Sequence, residues 1–513
     1  MEAVETDSFK PGSKLFEELY SVRNGSTYFK TFITGEWVDT GSYMDVKTPI
    51  DLSVIARVSK TGWELADKAM ATLHARGRWS ARDLPGWRRV EVLEKAAEML
   101  EELKEDFVNA LMINSGKTRS QAQGEVLASI DRLRAAHLDA RKIFGEYMPG
   151  DWDQTTIETE AVVRREPVGI VLAIIPFNYP LFDTVSKITY SFIAGNAVAV
   201  KPPSADPLPV LLLARVLEAS GFPSDALAVL TVPGSESDRI IRDDRVGVVS
   251  FTGSSETGKK VVQKAGIKQL VMELGGGDPA IVLGDADVDF SAERVAMGIY
   301  SYSGQRCDAI KLVLVKNEVY GPFKKALLRE LSKVRVGDPR DPSTTIGPLI
   351  EPGAVDEALK AVEDAVEKGG VVLHGGRRLG PTYMEPTLVE FRDHGLLRQS
   401  ILYWKEVFAP VALITGFNSV DEAVSLVNER RYGLDAAVFG QNMDEIRKLV
   451  RFLEVGAVYV NDMPRHGVGY YPYGGRKDSG IGREGVGYSI EYTTSYKTII
   501  YNYRGKGVWK YTL

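Results

Sequence analysis

The sequence holds a single cysteine in 513 residues, Cys307, in the run Ser303-Gly304-Gln305-Arg306-Cys307. A lone thiol makes no intramolecular disulfide and no cysteine-rich metal cluster, which leaves a small buried side chain or a nucleophile. Two other segments carry what a thiol nucleophile needs. Glu273, in Glu273-Leu274-Gly275-Gly276-Gly277, offers a carboxylate able to activate the thiol or a later water. Asn178, in Ile175-Pro176-Phe177-Asn178-Tyr179-Pro180, offers a side-chain N–H that, with a backbone N–H near Cys307, stabilises an oxyanion. The expected chemistry is attack of sulfur on an electrophilic carbon through a tetrahedral intermediate. The five histidines, His74, His137, His374, His394 and His466, are dispersed, show no metal-ligand spacing and fall outside these segments. A Cys–His pair is therefore the less economical arrangement, and no metal site is expected.

These residues need strand ends to bring them together. The first third reads as helices after a short β entry over 29–38. Apolar residues recur at helical spacing from Leu93 to Leu111, and Ser115-Gly116 gives a stop. From Val168 the texture becomes short apolar runs alternating with helical stretches. Strands are expected over 168–176, 197–201, 227–232, 246–252 and 269–274, with helices over 182–193 and 208–219. Apolar strands separated by helices imply a parallel sheet covered on both faces, an α/β fold. A second series begins at Pro279, runs through Ile310–Val315 to Ala457–Val460 and implies a second α/β lobe. The carboxyl ends of parallel strands share one edge, where ligands collect. The alternating stretch 150–165 and the aromatic tail 498–511 read as β arms able to pair with another subunit.

The motifs, taken in order, resemble the aldehyde dehydrogenase superfamily along nearly the whole chain. They are Pro-Phe-Asn at 176–178, Lys201-Pro202, Phe-Thr-Gly-Ser at 251–254, Glu-Leu-Gly-Gly at 273–276 and Gly-Gln-x-Cys at 304–307. Lys405-Glu406-Val407-Phe408-Ala409-Pro410, Tyr432-Gly433-Leu434 and Gly474-Gly475-Arg476-Lys477 continue the series. The resemblance implies two Rossmann-like α/β lobes and a small β oligomerisation arm. The nicotinamide-cofactor domain spans 1–144 and 167–274, the catalytic domain 275–484, and the arm 145–166 and 485–513. It implies that Cys307 forms a thiohemiacetal and then a thioester, that Asn178 holds the oxyanion and that Glu273 activates the hydrolytic water. Relatives that make acyl-CoA lack that glutamate, so Glu273 points to hydrolysis.

By the same resemblance, the cofactor is bound by Pro176, Phe177, Lys201, Ser204, Thr252, Gly253, Ser254, Leu274, Glu406 and Phe408. NAD-specific relatives place a glutamate three residues after the lysine, and here Ser204 stands there. A 2′-phosphate meets no carboxylate repulsion, so NADP is expected to be preferred, with NAD also used. Tyr179, Arg306 and Arg465 resemble the phosphate-binding set of non-phosphorylating glyceraldehyde-3-phosphate dehydrogenases, with Arg141 as the candidate third arginine. The wider sequence looks closest to the archaeal branch of that enzyme, although Gly277-Asp278 stand where Lys-Asn is common. The implied reaction is oxidation of D-glyceraldehyde 3-phosphate to 3-phosphoglycerate without inorganic phosphate. A semialdehyde or general aldehyde dehydrogenase is the alternative, and a non-catalytic scaffold the remote one. The resemblance also implies a homotetramer, a dimer of dimers.

Bulk composition bounds the rest. A net charge of −6 gives no support to a nucleic-acid partner. The longest apolar run, 168–176, is far below the ~20 residues a membrane span needs, and the opening residues lack a secretory pattern. A reduced, cytoplasmic setting and no membrane partner are expected.

Overall fold

Five parallel strands stand side by side in the order Gln269–Glu273, Val248–Thr252, Ile170–Ile174, Ala197–Lys201, Leu227–Val229 in the computed structural model, which describes residues 8–466 and 470–504. Their residues are almost all buried, as the continuous apolar runs require of strands covered on both faces. The chain starts the parallel set at Ile170–Ile174, builds outward on one side, then crosses to Val248–Thr252 on the other. That reversal is a topological switch point, and it opens a crevice beyond the carboxyl ends of these two neighbours. Helices Pro180–Ile193 and Leu208–Ser220 pack on this sheet. The first opens with Pro180, whose fixed φ suits a first helical turn, and the second stops at Gly221 with φ of 95°.

Residues 274–277 carry the chain into a second sheet. Its order is Val371–His374, Thr387–Glu390, Val411–Phe417, Ile310–Lys316, Asp278–Val282, Asp435–Phe439, Ala457–Val460, all parallel except the first pair. Cys307 lies just before the Ile310–Lys316 strand, so the thiol stands at the amino edge of this second sheet. Glu273 and Asn178 stand at the carboxyl edge of the first. The chain later returns to the first sheet, where Gly480–Ile481 pairs antiparallel with Met272 and Glu273.

The arm is a three-stranded antiparallel sheet of Glu146–Pro149, Thr159–Pro167 and Thr494–Asn502, in which the two segments expected to reach outward pair with each other. The expected tail strand lies outside the described residues beyond 504, as do the first seven residues of the expected cofactor domain. Two local expectations change. Among the described residues six strands precede the first α-helix at Trp63, because strands of three to six residues are too short for periodicity to reveal. The helical pattern through Leu111 is two helices, Gly86–Glu102 and Lys104–Ser115, broken at Leu103. The stop at Gly116 has φ of 70°. Among the described residues no helix is long and apolar enough to cross a membrane.

Candidate active site

A cavity of about 1170 Å³ lies between the two sheets, and Asn178, Glu273 and Cys307 all line it. Each is delivered by a different local device. Asn178 follows the buried strand Ile170–Ile174 and is fixed by Tyr179 and Pro180 turning into the next helix. Its side-chain N–H donates to the Gln305 carbonyl at 3.1 Å, two residues before the thiol. Asn178 is thereby held against the segment that carries the nucleophile.

The thiol sits beyond a strained turn. Helix Val288–Tyr300 ends, and Tyr302, Ser303 and Gly304 all take positive φ, at 48°, 55° and 67°. Non-glycine residues adopt this conformation only when surroundings over-determine it. Here the Tyr302 hydroxyl donates to the Ser115 carbonyl at 3.0 Å and the Ser303 hydroxyl to the Gly347 carbonyl at 2.7 Å. The Gln305 side-chain oxygen accepts from the Ile350 N–H at 2.8 Å. A β-carbon at residue 304 would lie 2.6 Å from the Pro410 nitrogen, so only glycine fits. Burial pushes the half-buried Cys307 thiol up to about 12, against the pull of His466.

His466 corrects the expectation from sequence. Its Nδ1 lies 3.7 Å from the Cys307 sulfur, and its Nε2–H donates to the Asp435 carboxylate at 2.7 Å. The ring stacks on Tyr473, centroids 4.8 Å apart. Its backbone N–H donates to Asp308 at 3.2 Å. A turn at Asn461, φ of 57°, folds the loop back from the Ala457–Val460 strand, and the Tyr459 hydroxyl fastens it at the Arg465 carbonyl, 2.9 Å away. Burial opposes charge on the imidazole, but Asp435, Cys307 and Asp308 prevail and raise it well above its ordinary range. Burial raises the Asp435 carboxyl as well, so ring and carboxyl compete for one proton. Asp308, held ionised by Arg306, raises both groups.

Glu273 ends the Gln269–Glu273 strand with only 4 % exposure, and neither carboxyl oxygen has a hydrogen-bond partner among the described residues. Burial first, then neighbouring Glu484, raises it well above the ordinary carboxylate range. Glu484 is itself paired with buried Lys187 and accepts from the Tyr473 hydroxyl at 3.2 Å.

The other end of the cavity suits a dinucleotide. Thr252, Gly253 and Ser254 follow the Val248–Thr252 strand, and Ser254 caps helix Ser255–Ala265, accepting from the Thr257 N–H at 3.3 Å. A helix N-terminus favours phosphate. Glu406 accepts from the Gly276 N–H at 3.0 Å, and burial pushes its carboxyl up to about 7. Phe177 and Phe408 meet edge to face with centroids 5.8 Å apart. Pro176 and Leu274 also line this region. Lys201 and Ser204 do not line the cavity; they stand one strand along the same edge, where Lys201 pairs with Ile174. Burial pushes the Lys201 amine down to about 8, and Ser204 is exposed.

Of the expected substrate residues, Tyr179, Arg306 and Arg465 line the cavity. Arg306 is buried and donates to Asp308 at 2.7 Å, to the Pro464 carbonyl at 2.8 Å and to Ser301 at 2.6 Å. Arg465 is exposed and pairs with Asp462 at 2.6 Å, a carboxylate already held by Arg294. Arg141 is not brought to the site. Helix Arg119–Arg134 ends seven residues earlier, and Arg141 sits exposed in the Ala140–Lys142 turn, away from the cavity lining. Lys405 and Lys117 also line the cavity, and Lys117 is buried, paired with Glu125 and 4.0 Å from the Tyr179 ring centroid. Lys117 and Asp435 carried no motif; His466 and Asp308 lay beside singled-out arginine and cysteine residues but were not read as thiol partners.

Residues 37–499 match the model of the aldehyde dehydrogenase family. The chain is 35% identical over 477 residues to an NADP-dependent glyceraldehyde-3-phosphate dehydrogenase of Streptococcus equinus, covering 92% of this chain and 98% of that one. It is 33% identical to a 3-sulfolactaldehyde dehydrogenase of Priestia megaterium, covering 92% and 97%. Among solved structures, glyceraldehyde-3-phosphate dehydrogenase GapN of Methanocaldococcus jannaschii complexed with NADP matches at 34% identity and a TM-score of 0.84, covering 90% and 99%. Aldehyde dehydrogenase 21 of Physcomitrella patens, in complex with succinate, matches at 30% identity and a TM-score of 0.88, covering 93% and 99%.

Proposed function

The chain belongs to the aldehyde dehydrogenase family, and on that premise we propose that it oxidises D-glyceraldehyde 3-phosphate to 3-phosphoglycerate with NADP, or less readily NAD, without inorganic phosphate. The Cys307 sulfur adds to the aldehyde carbon, and the Asn178 N–H and a backbone N–H hold the oxygen as charge develops there. The bound nicotinamide supplies the hydride acceptor. Gly253, Ser254 and Glu406 would hold the dinucleotide, with Phe177 and Phe408 beside its ring, and Ser204 leaves room for a 2′-phosphate. Glu273 then takes a proton from water, which attacks the acyl–sulfur carbon and releases the acid.

The observation that carries the phosphorylated substrate is the pair of arginines on the wall of the thiol's cavity, Arg306 and Arg465. Asp462 is shared by Arg294 and Arg465, so one carboxylate faces two guanidinium groups and leaves positive charge for an anionic oxygen. Arg306 and the Arg465 loop are fastened together through the Pro464 carbonyl. A second reading rests on Asp308, which already neutralises Arg306 and suits a carboxylated or neutral aldehyde. Initial rates with NADP and no inorganic phosphate separate the two. The kcat/KM for D-glyceraldehyde 3-phosphate is expected to exceed that for succinate semialdehyde, lactaldehyde and propionaldehyde by at least about tenfold, the worth of one charge-assisted contact. Equal or better turnover of the others would overturn the phosphate assignment.

The arm supports assembly into a homotetramer. Trp152, Tyr496 and Ile500 are large apolar side chains left exposed on it, at 88 %, 63 % and 66 %. Light scattering is expected to return four chains, and a monomer would contradict it.

A further inference from the structure

His466 and Asp435 complete an arrangement that the proposed reaction leaves unused. The thiol is the sole cysteine, its sulfur faces one ring nitrogen at 3.7 Å, and the other ring nitrogen is fixed on a buried carboxylate at 2.7 Å. This is the nucleophile, base and orienting group of an acyl-transfer site, recognised by geometry rather than by chain order. Glu273 has no bond to the sulfur, and its raised carboxyl holds its own proton at rest. We propose that His466, aligned by Asp435, takes the Cys307 proton and holds the thiolate, leaving Glu273 to the hydrolytic half-reaction. The proposal rests on Cys307 being the nucleophile and not on which aldehyde is used.

The proton balance closes. The S–H proton passes first to His466 Nδ1, and the thiolate lone pair then forms the C–S bond as the carbonyl π pair moves to oxygen. Hydride then leaves for the cofactor and the carbonyl re-forms as a thioester. In hydrolysis, Glu273 first releases its resting proton to solvent, and water then gives one proton to the carboxylate and its oxygen to the acyl carbon. The C–S bond breaks with its pair returning to sulfur, and His466 gives back the thiol proton. Glu273 keeps the proton taken from water and so returns to its resting state.

The ring's surroundings favour this role over a packing role alone. Asp435 and Asp308 face it with Arg306 beyond, Tyr473 stacks on one face and Tyr459 lies near. Asp278, Glu273 and Asp183 feel its charge from further off. A thiol pushed up by burial reacts at neutral pH only beside a base whose proton affinity is also raised. Asp435 raises it. Asp278, standing where relatives commonly have asparagine, accepts the Asp435 N–H at 3.2 Å and is raised by burial, Asp435 and Asp308, so the departure joins the same buried acidic cluster.

The sole thiol makes a direct test possible without cofactor or substrate. The alkylation rate of the cofactor-free enzyme by iodoacetamide is measured from pH 5 to 10 for wild type, His466→Asn, Asp435→Asn and Glu273→Gln, with circular dichroism as the folding control. His466→Asn is expected to slow alkylation at pH 7 by at least about tenfold and to move the midpoint up by at least about one unit. Asp435→Asn, which keeps the shape of the carboxylate, shifts the profile the same way by less. Glu273→Gln leaves it in place. Profiles of His466→Asn and Asp435→Asn that superimpose on wild type would overturn the relay, as would slowing by Glu273→Gln alone. Turnover of Cys307→Ser reports separately on the nucleophile: loss with an unchanged His466→Asn profile removes the relay and leaves the proposed function standing.

Discussion

Two groups share the cavity with Cys307. One is Glu273, a buried carboxyl without a hydrogen-bond partner among the described residues, near another acid, Glu484, whose charge is met by Lys187. The other is His466, bonded through its ring to Asp435, through its backbone to Asp308 and stacked on Tyr473. Glu273 is buried and His466 half-buried, and their surroundings push them toward opposite states. A carboxyl among acids keeps its proton and is neutral; an imidazole among acids gains one and is charged. A neutral acid can sit beside a thiolate without repelling it, and once it has given up its proton the carboxylate is a strong base toward water. A charged imidazole stabilises the thiolate directly. The two sides are therefore suited to the two successive halves of one reaction.

Breaking the Glu273 side gives the largest effect. Glu273→Gln is expected to lower steady-state turnover by ~10²–10⁴-fold, the usual worth of a general base, and unchanged turnover would transfer its role elsewhere. Arg465→Ala tests whether the His466 loop also holds the substrate anion. Its KM for the phosphorylated aldehyde is expected to rise by about tenfold, with little change for propionaldehyde; parallel changes would give Arg465 a structural role. The smallest effect concerns stability. Glu273 is raised in the folded protein, so the native state holds its proton more tightly than the unfolded chain does. That contribution is full below the unfolded value near 4.5 and is lost as pH rises toward the folded one. Urea unfolding should show Glu273→Gln gaining on wild type between pH 4.5 and 8, and a constant difference would mean the carboxyl is ionised at rest.

The same contrast divides what could be read in the sequence. Glu273, Asn178, Gly253 and Glu406 belong to short motifs beside strand ends, and a buried parallel strand announces itself as an apolar run. The Ala197–Lys201 strand has the bounds expected of it, and the neighbouring strands differ by one to three residues. His466 gave no such signal, since 159 positions separate it from Cys307 and the pair meets only because a loop turns back at Asn461. Asp435 opens a strand with nothing local to mark it as a ring partner. The case against a Cys–His pair relied on closeness in sequence, which a base does not need. Arg141 lies beyond the end of the helix Arg119–Arg134, exposed in the turn Ala140–Lys142 and off the cavity lining.

The most direct test is the pre-steady-state burst of nicotinamide reduction with saturating aldehyde, read side by side in wild type, Glu273→Gln and His466→Asn. Glu273→Gln should keep a fast burst of about one equivalent per active site and then turn over slowly, because the thioester forms but water is not activated. His466→Asn should lose the fast phase, because the sulfur itself is slow. Loss of the burst in Glu273→Gln together with its survival in His466→Asn would contradict the account and make Glu273 the base for both halves.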